Sequence, residues 1–416
     1  MHLRACTITA ITLLASAPAM AQMGSAASAG RNSNSTNQAK PDAEPQPATA
    51  GQVRPSKAAQ PALIALQNAI NAGDANAIRA AAAAAQAAST TKEDRYMVGQ
   101  LQLKGALQRN DDAAASAAID VIAGSGFLDS ARVASLYSSL GGKLLKQKQY
   151  AEAATLLNRA AALTPGDLQA QILVGDAYLA GRQNAQALAI YQKALAARQT
   201  AGQKPDEGLY RRAVQAAFDG KSPAAADLSR QWVSAYPNKD SWRNSIAIFM
   251  TESKPDDDGV LDLLRLMRAT GALTGPDIET YVVALTDASN FIEAQTVLDQ
   301  ASGVDGATVQ KLKASLAGKP RVTAAELASA AKSAQSPTAL LRIADRYYGL
   351  GDYANAAATY RAAKAKGVEA SLADLRTGIA LAGTGDKAAA AAALKSVGGA
   401  RAGIAQYWLL YLQGRA

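Results

Sequence analysis

Few residues in this chain are of a type that does chemistry. The single histidine, His2, and the single cysteine, Cys6, both lie in its first ten residues. The remaining candidates are acidic. Glu252-Ser253 offers a carboxyl that, with a raised pKa, can serve as a general acid in glycoside cleavage without help from His or Cys. The longest acidic run is Asp256-Asp257-Asp258, directly before Gly259 and Val260. Three carboxylates suggest Ca²⁺, but the spacing is not that of an EF-hand loop. Acidic residues at the start of a helix complement its dipole, and the run is read as a helix cap, not a metal site.

The surroundings of His2 and Cys6 decide what becomes of them. Arg4 supplies a positive start, residues 5–17 are uncharged and largely apolar, and Ala19-Met20-Ala21 fits a small-x-small cleavage site. Residues 1–21 therefore read as a secretion signal cut after Ala21, with an apolar stretch too short for a membrane span. The mature chain would hold neither His nor Cys. Thiolate catalysis, Ser-His-Asp chemistry, disulfides, zinc fingers and haem ligation by His or Cys are then excluded, and no cofactor or metal is expected. The predicted location is the periplasm or outside the cell.

Residues 22–58 are Ala, Ser, Asn, Gln, Pro and Gly with hardly a large apolar side chain. Such a segment cannot offset its ordering entropy by burial and reads as a flexible linker. The formal net charge is +9. Removal of Arg4 lowers it by one, and the charges are scattered, with Arg211-Arg212 the only adjacent basic pair. No basic stripe points to nucleic acid. A mild attraction to acidic polymers or acidic protein segments, and peripheral association with the envelope, are consistent with the excess.

The elements that must position any site follow from a repeat. Gly141, Ala153, Leu157 and Ala160 recur 34 residues later as Gly175, Ala187, Tyr191 and Ala194. Ala344, Ala356, Tyr360 and Ala363 recur at the same spacing as Gly378, Ala390, Leu394 and Val397. A fixed period of this length with small-large-small positions implies stacked helix pairs. The small residues allow two helices to cross closely, and Pro165 and Pro237 stop second helices. Gly73-Asp74, Gly351-Asp352 and Gly385-Asp386 fit the turn between paired helices: Gly for a left-handed cap, Asp for the next N-cap. Asp219-Gly220 is placed at the same turn.

The set Tyr137, Leu140, Gly141, Leu144, Tyr150, Ala153, Leu157, Ala160 and Pro165 resembles the tetratricopeptide repeat (TPR). The resemblance implies an all-α solenoid of about ten stacked antiparallel helix pairs. Degenerate pairs are expected over 59–133, with Gly105, Ala117 and Val121 in the repeat register. TPR-like repeats follow over 134–308, a degenerate pair over 309–336 and further repeats over 337–401. An aromatic-rich helix over 402–416 would cap the last pair. A lengthened loop is expected around Gln199–Pro205.

In TPR proteins the first helix of each pair lines an inner groove. By register the groove here would hold Lys146, Asp176, Tyr210, Arg211, Phe218, Arg342, Asp345, Tyr348 and Arg376, with Lys146, Arg211, Arg342 and Arg376 exposed. Tyr and Arg suit an extended peptide or helix, though Tyr210, Phe218 and Tyr348 equally suit packing between pairs. Ser138 and Gly142 stand where carboxylate-clamp TPRs carry Lys and Asn. The function expected is a non-catalytic scaffold of the bacterial envelope that binds a protein or peptide. Alternatives are an accessory subunit of an outer-membrane assembly or export complex, and an enzyme acting on peptidoglycan or polysaccharide. For the last, Glu252-Ser253 resembles the Glu-Ser start of lytic transglycosylases, without the rest of their motif.

Overall fold

The computed structural model describes residues 53–301 and 303–414. The predicted signal and most of the linker lie outside them. The described chain contains 21 α-helices and no strand, and it divides into two compact units, residues 53–205 and 206–414. The division falls at the polar stretch Gln199–Pro205.

The N-terminal unit is four helical hairpins: α1 (Gln60–Ala72) with α2 (Ala75–Ala88), α3 (Lys92–Gln108) with α4 (Asp112–Gly124), α5 (Ser130–Lys146) with α6 (Tyr150–Leu163), and α7 (Leu168–Ala180) with α8 (Asn184–Thr200). The crossing positions behave as the repeat demands. A Cβ on Gly141 would lie 2.9 Å from Leu157 Cγ, and one on Gly175 would lie 2.7 Å from the Tyr191 ring. Only glycine permits those approaches.

The second hairpin departs from the expected register. Gly105 faces Ile70 of α1, not Val121, and Ala117 is exposed. Ala115, Ala118, Ile119 and Ile122 are the buried residues of α4. Gly99 takes the close approach instead, with a Cβ there falling 2.7 Å from Ile122.

Residues 53–58, linker by composition, are fastened to this unit. The Ser56 backbone N–H and hydroxyl each donate to the fully buried Asp94 carboxylate at 2.8 Å. Thr90 and Thr91 backbone N–H groups donate to the same side chain. Burial acts to raise this carboxyl, but the donors outweigh it and hold it well below the ordinary carboxylate range.

The C-terminal unit continues the hairpins: α9 (Glu207–Asp219) and α10 (Ala225–Ala235), α11 (Lys239–Ser253) and α12 (Asp257–Ala269), α13 (Gly275–Asp287) and α14 (Phe291–Asp299). After α15 (Gly306–Leu316) and α16 (Ala324–Ser333) come α17 (Pro337–Gly349), α18 (Tyr353–Ala365), α19 (Ala370–Thr384), α20 (Lys387–Lys395) and α21 (Ala402–Gly414). Gly378 meets Leu394 as Gly141 meets Leu157. The pair α15–α16 buries only Leu312, Leu316 and Leu327, and α17 packs directly on α14. A Cβ on Gly349 would lie 2.9 Å from the Glu293 backbone nitrogen.

The turns follow their chemistry. Gly73, Gly351 and Gly385 have φ of 79°, 78° and 86°, and Asp74, Asp352 and Asp386 accept backbone N–H bonds as N-caps. Asp219-Gly220 lies at the corresponding turn, between α9 and α10, with a different backbone geometry. Gly220 is right-handed, and Lys221 takes the left-handed position with φ 51°. Lys148 and Arg182 occupy the same position of their own hairpins.

Candidate functional site

Two arrangements of side chains stand out, one in each unit. The first is an ionic cluster in the C-terminal unit. Arg265 of α12 donates in parallel to Glu293 of α14, Nε to Oε1 at 3.0 Å and Nη2 to Oε2 at 2.7 Å. It also reaches Asp262 at 3.1 Å and Asp345 of α17 at 3.3 Å, and lies over the Tyr348 ring at 4.4 Å. Arg376 of α19 donates to Asp262 at 3.2 Å, Asp345 at 3.1 Å and Asp258 at 2.6 Å. Tyr281 and Tyr360 hydroxyls donate to Glu293 and Asp345 at 2.6 and 2.7 Å.

Three buried carboxylates, Asp262, Glu293 and Asp345, thus share two guanidiniums. Burial pushes the Asp262 carboxyl up, against the pull of Arg376 and Arg265. Burial and then the adjoining carboxylates Glu293 and Asp345 push the Tyr281 and Tyr360 hydroxyls well up. Every charged group here is consumed by a neighbour. The cluster is an interior joint rather than an open site.

The joint is completed by α21. Instead of covering only the last pair, this helix packs on α10, α12, α19 and α20. Tyr407 shares a hydrogen bond of 2.8 Å with the Ser245 hydroxyl of α11 and stands edge-on to Phe249. Trp408 Nε1 donates to the Asp262 carbonyl at 3.2 Å. Just before α21, Arg401 grips Asp256 with two bonds of 3.0 and 2.7 Å. Asp256 also accepts from Gly259 N at 2.8 Å as the N-cap of α12, so the acidic run serves as a cap.

The expected groove residues separate accordingly. Arg376, expected to be exposed, is 2% exposed and locked in the cluster, because α12 stands opposite it. Asp345 is equally enclosed, and Tyr348 lies under Arg265. Tyr210 is a core residue, edge-on to Tyr236, and Phe218 is half-buried. Arg211 and Arg342 are exposed, on α9 and α17. In the N-terminal unit Lys146 is exposed, and Asp176 accepts from the Tyr191 hydroxyl at 2.7 Å. Lys146 and Asp176 belong to the N-terminal unit, and the other seven belong to the C-terminal unit. Glu252 is exposed in the last turn of α11; partial burial raises its carboxyl, with Arg230 opposing.

The second arrangement was not read from the sequence. Helix α3 fully buries its small residues Gly99, Gly105 and Ala106, with Val98 and Asp94, while Tyr96, Met97, Leu101 and Leu103 are half-buried and Leu107 is exposed. Tyr96, Met97, Leu101 and Leu107 of α3, with Leu128 of the α4–α5 connection and Leu136 of α5, line an open cleft of about 740 Å³. Phe127 stacks on Tyr96 at 4.5 Å and stiffens one wall. Leu107 is 46% exposed, so the cleft opens to solvent through an apolar lip. The signal was present in α3, where large apolar residues fall on more faces than one core can take.

No protein-family profile and no curated protein matches this chain. Among solved structures, it is similar to Pseudomonas aeruginosa PilF at 14% identity, over 62% of this chain and 97% of that one, with a TM-score of 0.27. A tetratricopeptide repeat protein from Parabacteroides merdae is 11% identical, over 76% and 98%, with a TM-score of 0.27. Cut9 in complex with Hcn1, from the APC/C, is 11% identical, over 86% and 96%, with a TM-score of 0.21. With scores this low, nothing about this chain's partner or activity follows from those proteins.

Proposed function

We propose that this protein is a non-catalytic interaction scaffold whose N-terminal unit holds a segment of another protein in the α3–α5 cleft. The observation that carries the reading is the cleft itself: half-buried Tyr96, Met97 and Leu101 form an apolar wall that ends in the exposed Leu107, while small residues of α3 fill the core. Open apolar surface of this kind marks an interaction site. In the C-terminal unit Asp345, Tyr348 and Arg376 are engaged within the buried cluster, which favours the N-terminal cleft as the open surface. The predicted secretion signal supports an envelope or extracellular location, where an assembly or export complex is one setting for such a scaffold. No helix among the described residues is long and apolar enough to cross a membrane.

The test is affinity purification of the tagged full chain from its own cells, beside the Leu107→Asp variant. A partner retained by the parent and lost by the variant supports the cleft. A partner retained equally by both contradicts it. The polysaccharide-enzyme alternative rests on Glu252 alone, and release of muropeptides by the purified protein would revive it.

A further inference from the structure

We infer that the partner segment is acidic as well as apolar, and that Lys92 and Lys104 receive its carboxylates. The inference rests on the cleft reading above. Residues 53–205 carry 16 Lys and Arg against 10 Asp and Glu, whereas residues 206–416 carry 24 against 22. The positive excess therefore sits on the unit that has the open cleft. One stripe of α3, at four-residue spacing, reads Lys92, Tyr96, Gln100, Lys104 and Gln108. From Tyr96 onward this stripe is cleft wall, and Lys104 is the only charged residue in the lining. Lys92 continues it one turn beyond the edge. The two lysines are exposed, and neither makes an ion pair among the described residues. They stand about 18 Å apart along the helix, with the apolar wall between them.

Two other occupants fit less well. The chain's own residues 22–52 contain one large apolar side chain, Met23, and cannot fill the cleft. A second copy docking cleft to cleft would bring two positively charged units together, and like charges oppose that contact. A foreign segment with bulky apolar side chains flanked by Asp or Glu satisfies both the wall and the lysines.

The experiment uses the full chain and three synthetic peptides of one length: Leu/Phe with Glu, Leu/Phe with Gln replacing Glu, and Ser with Glu. Fluorescence anisotropy reads binding at low and high salt, and sedimentation reads the oligomeric state. The acidic apolar peptide should bind several-fold more tightly than the other two and weaken as salt rises. Lys92→Glu with Lys104→Glu should weaken it about tenfold, with both positions exposed and the fold unaffected. Equal binding of the neutral apolar peptide, unchanged in the double variant, would overturn the acidic class and leave the cleft standing. Failure of both apolar peptides to respond to Leu107→Asp would remove the cleft reading itself. A dimer that Leu107→Asp dissociates would assign the cleft to a second copy.

Discussion

Arg376 of α19 donates to the Asp262 carboxylate of α12 at 3.2 Å across 114 residues of sequence. An open stack of hairpins has no reason to bring its later helices back to its earlier ones. Here the bond is buried, shared with Arg265 and Asp345, and backed by Trp408 of α21 on the Asp262 carbonyl. The C-terminal unit is closed on itself, and its stability should be cooperative rather than additive by repeat.

Arg376→Ala tests the closure. It leaves Asp262 and Asp345 without one of their two guanidiniums, and loss of one partner of a buried pair costs about 3–5 kcal/mol. Urea unfolding, with hydrogen exchange of α12 and α19 amides, should show both helices losing protection together. Loss confined to α19 would mean that the repeats unfold one by one.

Trp408→Ala probes the same joint from α21. Trp408 is 2% exposed. Truncation of a buried Trp costs about 3–5 kcal/mol. Protection should fall at Ser245 and Asp262 as well as within α21. An effect limited to α20 and α21 would return α21 to the role of a simple end cap.

Asp94 sets a pH dependence in the N-terminal unit. Its folded pKa lies below the unfolded value, so its contribution is complete above about pH 4 and is lost as pH falls from there through the folded pKa. Asp94→Asn should destabilise α1–α3 by about 2–3 kcal/mol at neutral pH and flatten the acid limb of the stability curve. An unchanged acid limb in the variant would show that other carboxylates govern it.

Lys221 holds the left-handed position at φ 51°, where a side chain is strained. Lys221→Gly should raise stability by about 1 kcal/mol, and Gly385→Ala, at φ 86°, should lower it by a similar amount. Thermal unfolding of the two variants reads both signs; a fall for Lys221→Gly would refute the assignment of strain.

These residues also show where sequence informs and where it stops. Gly141 with Leu157, Gly175 with Tyr191, and Gly378 with Leu394 are local pairs at one fixed spacing, and the repeat exposed them. So did the turn at Gly385-Asp386. The α3–α4 hairpin slipped, because its alanines are too many to fix a register and Gly99, not Gly105, makes the tight crossing. The joint of Asp262, Arg265, Glu293, Asp345 and Arg376 was invisible, since its members come from four helices with no common spacing. Arg376 therefore read as a surface residue. The cleft was half legible: the apolar excess of α3 is plain in its letters, but which residues it leaves outside depends on the small residues that neighbouring helices accept.

The most direct test of the account places a photoreactive residue at Leu107 and, separately, at Arg342 of the full chain, and cross-links in living cells. One discrete protein adduct is expected from position 107 and none from position 342. An adduct from position 342 alone would contradict it and return the partner surface to the C-terminal unit.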